Sequence, residues 1–335
     1  MKVLVTGGAG SFGQAFVSAV LPTAERVVVY SRDEGKHARF AEILQAPPEK
    51  IRFFLGDVRD RERLEEAMWR CDTVVHAAAL KRIDAVSYDP LETIRTNVLG
   101  TVNVIDAAIR AGVGRVVVLS SDKCCDPANL YGVTKLAAEF YAVQANAHAL
   151  PRGTRIACVR WGNVLGSRGS VVHVWRRQVA AGLPLTVTDP ECTRFWITFP
   201  QAVAFVLESL AQMRGGEVFV PQLPSLRLGD LAECVAPGHP VKIVGLRPGG
   251  EKRHETLVTA EEMHRAVGFV GFGFDGRFII EPTHMRWGRE SWRKEPGALI
   301  LLPPPHVAFR SDEGAVRIEP AMMRQWLRDL PEEAL

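Results

Sequence analysis

No stretch of this chain is apolar for anything near the ~20 residues that cross a bilayer, and the N-terminus runs into Lys2-Val3-Leu4-Val5 with no basic leader or cleavage site. Neither a membrane anchor nor export is expected. The six cysteines show no C-x-x-C spacing, the adjacent Cys124-Cys125 does not resemble a zinc-ligand array, and the nine histidines form no H-x-x-x-H set. No metal is expected, and a reducing cytoplasm is the simplest location. An excess of charge is missing too: 41 Lys and Arg stand against 38 Asp and Glu, for a formal net charge of +3. That lacks the footprint of a non-specific nucleic-acid binder, so an anionic partner is to be met locally. The basic string 286–294 is interrupted by tryptophans and acids and reads as a solvated face. Internal repeats and low-complexity linkers are also absent. What remains is a globular chain of 335 residues, 47% hydrophobic, able to bury a large core or a large domain with a smaller companion.

Short apolar runs bounded by polar or glycine-rich turns recur at Val3–Val5, Val27–Tyr30, Ile51–Leu55, Thr73–Val75 and Val116–Leu119, with another at Ile156–Val159. They read as buried parallel strands. Between them, helix-length segments such as Phe12–Leu21, Arg61–Trp69 and Leu91–Ala111 carry apolar residues at three- and four-residue spacing. The alternation predicts an α/β fold, a doubly wound parallel sheet of the Rossmann kind. Residues 1–165 are expected to form the cofactor-binding domain and 166–335 a smaller substrate-binding region and tail, with later strands free to return to the sheet.

The first strand ends in Thr6-Gly7-Gly8-Ala9-Gly10-Ser11-Phe12-Gly13-Gln14. Glycines at this strand-to-helix turn permit close backbone approach, and the helix then points free N–H groups at a pyrophosphate. Thr6, Gly7, Gly10, Ser11, Phe12, Gly13 and Gln14 are therefore candidate dinucleotide contacts. At the end of the second strand, Ser31 and Arg32, followed by Asp33 and Lys36, fall where the adenosine ribose would lie. Arg32 suits a 2′-phosphate, hence NADP, while Asp33 keeps NAD as the alternative. Asp57 and Val58 after the third strand suit the adenine edge. Ala77 and Ala78 after the fourth, with Lys81 and Asn97, complete the cofactor set.

The fifth strand runs into Ser120, Ser121, Asp122 and Lys123, and Tyr131 and Lys135 follow on one face of the next helix. A nearby ammonium favours a phenolate, so Tyr131 is expected to have a lowered pKa and to take a hydroxyl proton during hydride transfer, with Lys135 also holding the nicotinamide ribose. Asp122-Lys123 adds an acid and a base beside that tyrosine, which simple alcohol oxidation does not need. Oxidising C4 of a sugar acidifies the C5 hydrogen, so a base can remove it while an acid helps the 6-hydroxyl leave as water.

These motifs resemble the inverting UDP-N-acetylglucosamine 4,6-dehydratases within the polysaccharide-biosynthesis dehydratases, extended short-chain dehydrogenase/reductases that begin pseudaminic-acid synthesis. The resemblance runs from the phosphate loop to about Glu255 and rests on Tyr30-Ser31-Arg32-Asp33-Glu34, Ala77-Ala78-Ala79-Leu80-Lys81, Ser121-Asp122-Lys123, Asn129-Leu130-Tyr131-Gly132, Arg160-Trp161-Gly162-Asn163-Val164, Thr193-Arg194-Phe195-Trp196 and Arg247-Pro248. It implies Lys123 as the base at C5, Asp122 as the acid at the 6-hydroxyl, Tyr131 with Lys135 for hydride transfer, and Ser121 on the 4-hydroxyl. It places Lys81, Ser120, Ser121, Asn163, Val164, Val171, Val172, Arg194, Arg247 and Glu251 against the UDP-sugar. Lysine at 123, where C5-retaining relatives carry glutamate, implies inversion, and the family implies a homo-oligomer of dimer size or larger. An extra glycine in Gly249-Gly250 departs from the family pattern and bears on where Glu251 falls. Beyond about Gly271 nothing matches, and the aromatic, proline-rich tail reads as packing or oligomer contact. A related nucleotide-sugar 4-epimerase, a 5,6-dehydratase and a non-catalytic NADP-binding sensor are the alternatives.

Overall fold

Short apolar runs form six parallel strands; all but the third, an edge strand with Arg52 and Leu55 exposed, are buried on both faces, as such runs are when helices cover both sides of a sheet. They are β1 (Lys2–Thr6), β2 (Arg26–Ser31), β3 (Ile51–Leu55), β4 (Thr73–His76), β5 (Arg115–Leu119) and β6 (Arg155–Val159). The structure is a computed structural model describing residues 1–269, 276–284, 287–298 and 307–330, with the backbone alone described for 83–85. The six strands lie in the order 3-2-1-4-5-6, so the winding direction reverses between β1 and β4 and opens a crevice at their carboxyl ends.

The chain then forms β7 (Asn163–Val164), β8 (Leu185–Val187), β9 (Thr193–Ile197), β10 (Val218–Pro221), β11 (Ser225–Arg227), β12 (Val241–Ile243), β13 (Thr256–Val258), β14 (Ala266–Phe269), β15 (Arg277–Ile280) and β16 (Phe309–Arg310). Three of these return to the main sheet: β10 pairs parallel with β6, β15 antiparallel with β10, and β14 antiparallel with β15, giving nine strands. The segment 166–335 thus shares the main hydrophobic core as well as building its own. That second core gathers Leu165, Val172, Trp175, Trp196 and Leu231, and is closed by Met323 and Leu327 from the helix Pro320–Arg328. Arg176 fixes this helix by donating to the Leu327 carbonyl at 2.7 Å.

The region expected as one helix over Leu91–Ala111 is Pro90–Ile94, a π-helical turn Arg95–Leu99 and Gly100–Arg110. Such bulges re-aim side chains at functional sites, and here the bulge carries Asn97. The basic string is solvated only in part: Glu290, Arg293 and Lys294 are exposed, whereas Arg289 and Trp292 turn inward. Arg289, its side chain 3% exposed, lies 3.1 Å from Glu281 and 3.5 Å from Glu217, because two buried carboxylates need a cation between them. Trp292 is buried beside it, while Arg286 and Pro303-Pro304-Pro305 lie outside the described residues. Among the described residues no helix is long and apolar enough to cross a membrane.

Candidate active site

The carboxyl end of β1 supplies a cradle that side chains would fill. Gly7 takes φ +65°, and a Cβ at Gly13 would lie 2.5 Å from the Gly7 oxygen and the Gly8 Cα, so the helix Ser11–Val20 can begin directly on the turn only with glycine. Its N-cap is Gly10 and no side chain caps it, leaving its first N–H groups for an anion. Thr6 faces inward: its hydroxyl lies 2.6 Å from His76 Nδ1, and His76 Nε2 lies 3.0 Å from Thr101 Oγ1. Full burial lowers the His76 pKa to about 3. Gln14 donates to the Ala9 carbonyl at 3.3 Å, and Phe12 packs on Trp161 with ring centroids 5.2 Å apart.

At the end of β2 the candidate ribose contacts separate. Ser31 is bonded to His37 Nε2 at 2.7 Å, and Asp33 caps the helix Glu34–Leu44 through Lys36 N at 3.0 Å while its other oxygen pairs with Lys36 Nζ. Asp33 is thereby committed to its own helix. Arg32 stays half-exposed, 3.5 Å from Asp57. Val58 is buried, and its carbonyl accepts from Asn103 Nδ2 at 3.1 Å. The backbone of Arg168 reaches over the phosphate loop to Ser11 Oγ at 3.1 Å. Partial desolvation, then the Arg168 charge, lowers the Lys81 ammonium. Asn97 accepts from Leu80 N at 2.8 Å and donates to the Leu80 oxygen at 2.9 Å and Thr134 Oγ1 at 3.1 Å. Both ends of its amide are thus engaged in tying the Ala77–Lys81 turn to the helix that carries Tyr131.

Ser121 caps the short turn Asp122–Cys124, its hydroxyl accepting from Lys123 N at 3.3 Å and donating to Asp122 Oδ1 at 2.8 Å. Asn129 caps the next helix, Leu130–Gln144, through Gly132 N at 3.0 Å. A Cβ on Gly132 would lie 2.2 Å from the Lys123 oxygen, so this glycine lets the turn carrying Tyr131 rest against the Asp122-Lys123 backbone. Ser120 turns instead toward Cys124 Sγ, 3.6 Å away. Lys135 donates to the Leu119 carbonyl at the end of β5, and burial lowers its pKa.

Asp122 is fully buried, and Lys123 Nζ bridges its Oδ1 at 2.9 Å, its Oδ2 at 3.0 Å and Asn163 Oδ1 at 2.9 Å. Burial raises the Asp122 pKa against the pull of Lys123. For Lys123 burial acts downward, but the carboxylates of Asp122 and Glu255 outweigh it and hold the ammonium above its ordinary range. The expected lowering of Tyr131 by Lys135 is not what this geometry gives. Burial, then the Asp122 charge, raises the phenol, with Ser121 acting in the opposite direction, because the Lys135 ammonium is turned to the end of β5.

The two arginines expected at the substrate meet on Glu251. Arg194 Nη2 donates to its Oε1 at 3.0 Å, as does Arg247 Nη2 at 2.9 Å, and Arg247 N reaches Oε2 at 3.0 Å. The extra glycine therefore leaves Glu251 inside the cluster. Val164 lies in β7 facing Ile197 of β9. Val171 and Val172 open the helix Val171–Ala180, and the Val172 side chain is buried in the second core, away from the cleft. Sequence reasoning assigned no role to Glu255, Lys252, Glu139, Arg160 and Glu262. The last three form a largely buried ion cluster behind the Asp122–Cys124 turn, with Arg160 Nη2 2.7 Å from Glu262 and its Nε 3.2 Å from Glu139. An arginine directly after a buried strand was the available signal.

Comparisons with known proteins agree on a common family. A family model described as polysaccharide biosynthesis protein matches residues 3–272. The chain is 43% identical over 285 residues to a UDP-N-acetylglucosamine 4,6-dehydratase (inverting) of Campylobacter jejuni, covering 84% of this chain and 83% of that protein. It is 38% identical over 288 residues to a UDP-glucose 4-epimerase of Rickettsia akari, covering 82% and 83%. The X-ray structure of Pen from Bacillus thuringiensis superposes with a TM-score of 0.86 at 33% identity, covering 98% of each chain.

Proposed function

The chain belongs to the polysaccharide biosynthesis protein family, and from that premise we propose that it is an NADP-dependent, C5-inverting UDP-N-acetylglucosamine 4,6-dehydratase. The observation that carries the reading is the buried Asp122–Lys123 pair with its 2.9 Å contact, set on the turn that meets the start of the Tyr131 helix. Elimination needs a free amine and a neutral carboxylic acid. Moving one proton from Lys123 Nζ to Asp122 makes both at once, and the raised Asp122 pKa lowers the cost of that shift. Lys123 then takes the C5 proton, and Asp122 gives its proton to O6, which leaves as water. Tyr131 holds and passes the proton of the 4-hydroxyl, oriented with Ser121. Protonation of C5 on the opposite face inverts it, and the product is a 4-keto-6-deoxy sugar nucleotide.

The glycine cradle and uncapped helix fit a dinucleotide pyrophosphate; the cofactor supplies reversible hydride transfer, from C4 and back to C6. NADP is favoured over NAD by the half-exposed Arg32, with Lys36 close by and Asp33 committed to its helix cap. Arg194 and Arg247, converging on Glu251, suit the diphosphate. Leu91, Leu99, Val133 and Phe140 are exposed on the helical segments before and within the Tyr131 helix, and we read this face as the contact between copies in a homo-oligomer of a cytoplasmic enzyme.

Mass spectrometry of the product formed from UDP-N-acetylglucosamine in ordinary and deuterated water tests the reading. Loss of one water with one deuterium gained at C5 supports it, and NMR couplings then report the configuration. The likeness to a UDP-glucose 4-epimerase supports a second reading, in which the 6-hydroxyl survives; an unchanged mass with an inverted C4 would select it.

A further inference from the structure

The chemistry proposed for Lys123 leaves one buried ion without a role. Glu255 is 3% exposed, and its Oε1 lies 3.4 Å from Lys123 Nζ and 4.0 Å from Arg194 Nε. Its Oε2 lies 2.9 Å from Lys252 Nζ. Lys252 Nζ also donates to the Cys125 carbonyl at 2.8 Å, so one ammonium with three N–H groups ties Glu255 to the turn that carries Lys123.

The seat of this carboxylate is built by the tail. Ser311 Oγ accepts from Glu255 N at 2.9 Å, and Ser311 N donates to the Glu255 carbonyl at 2.8 Å, so one residue grips both backbone groups. The same hydroxyl lies 2.6 Å from Thr193 Oγ1, next to Arg194. Pairing of β13 with β16 continues the clamp. Fixing a buried backbone this way holds the side chain where it is, and a buried carboxylate persists only where cations face it.

We propose that Glu255 is a positioning residue for Lys123: an anionic brace, seated by Ser311 of the tail, that keeps the ε-amino group between Asp122 and Asn163 and sets how tightly it holds its proton. The groups facing Lys123 are Asp122 and Glu255, which favour the ammonium, Asn163, which accepts from it, and Arg194, whose like charge opposes it. Those facing Glu255 are Lys123, Lys252 and Arg194; burial alone would raise its pKa, yet these three cations hold it at about 2. The brace opposes proton loss from Lys123 in the resting pair and stabilises the ammonium once a proton has been taken up. That catalytic consequence rests on reading Lys123 as the C5 base, whereas the charge relationship does not.

The test is an NMR titration of the Lys123 ε-amine in the full chain with its cofactor, using isotope-labelled lysine and assigning the signal with Lys123→Gln. Glu255→Gln is expected to lower the Lys123 pKa by about one unit, a tenfold change in the amine-to-ammonium ratio, and Glu255→Asp by less. Ser311→Ala keeps every charge and loosens only the seat, so a smaller shift in the same direction is expected from it, and it decides the matter if Glu255→Gln does not fold. A Lys123 titration unmoved by Glu255→Gln, or by Ser311→Ala where that variant decides, overturns the inference. If the variants show these shifts but the wild-type protein dehydrates no sugar nucleotide, the dehydratase reading ends and the brace stands.

Discussion

Asn129 Nδ2 donates to the Gly250 carbonyl at 3.0 Å while its Oδ1 caps the Tyr131 helix, so one side chain joins the loop proposed to hold the substrate to the helix that carries Tyr131. Gly250 takes φ +95°, and a Cβ there would lie 2.1 Å from the Ala128 oxygen. Gly250→Ala is therefore expected to cost about 1–3 kcal/mol, since both the backbone conformation and the contact oppose it. Urea unfolding measures that cost. The displaced loop should also raise KM for the sugar nucleotide while cofactor retention is unchanged, and a variant with wild-type stability and KM would contradict the latch.

Lys123→Ala should stop dehydration with the cofactor still bound, because the amine faces Asp122, Asn163 and Glu255 and not the glycine cradle. Product mass reports the first effect and nicotinamide absorbance of the purified variant the second. Cofactor loss in this variant would move Lys123 out of the substrate's chemistry.

Arg32→Glu should reverse the cofactor preference. A charge-assisted contact to a 2′-phosphate is worth about 1.5–3 kcal/mol, or roughly 10- to 100-fold in affinity. Calorimetric titration of cofactor-depleted protein with NADP and NAD gives the ratio, and an unchanged ratio assigns the 2′-phosphate elsewhere.

Arg160→Met would remove the fully buried guanidinium that pairs with both Glu139 and Glu262, leaving Glu262, among the described cations, only Arg265, 3.9 Å away. The expected loss is about 3–5 kcal/mol. Adding Glu139→Gln should recover part of it, and the double-mutant cycle in urea reads the coupling directly.

His76 sets an acid limit on stability. Its folded pKa of about 3 lies below the ordinary 6.5, so the unfolded chain binds the proton first. Its contribution is fully present above pH 6.5 and is lost as pH falls from there toward 3, with a slope approaching 1.4 kcal/mol per pH unit. Denaturation curves between pH 7 and 4 should show this decline, and His76→Asn should flatten it; an equal decline in that variant would place the acid sensitivity in other groups.

Local signals carried far in this chain. The first six strands fall within a residue or so of where their apolar runs put them, because a strand that packs into the core leaves a short local run of apolar residues. The phosphate turn, the Ser121-Asp122-Lys123 turn and the Tyr131–Lys135 spacing are equally local, each a strand end running into a helix or turn. Where a local rule was extended it failed: helical spacing does not say that Lys135 reaches for the end of β5, nor that a bulge at Asn97 interrupts an otherwise regular apolar period.

The sequence by itself determined the doubly wound half and the types of chemistry available at its strand ends, since both follow from residue spacing along short stretches. Only the tertiary structure decided which distant charges meet. Arg160 and Glu262 lie 102 positions apart, Glu255 finds Lys123 across much of the chain, and Ser311 seats it from the tail. Such contacts have no period and no spacing. They exist because burial makes unpaired ions costly, so the fold retains only arrangements in which each buried charge finds a partner, wherever in the chain that partner lies.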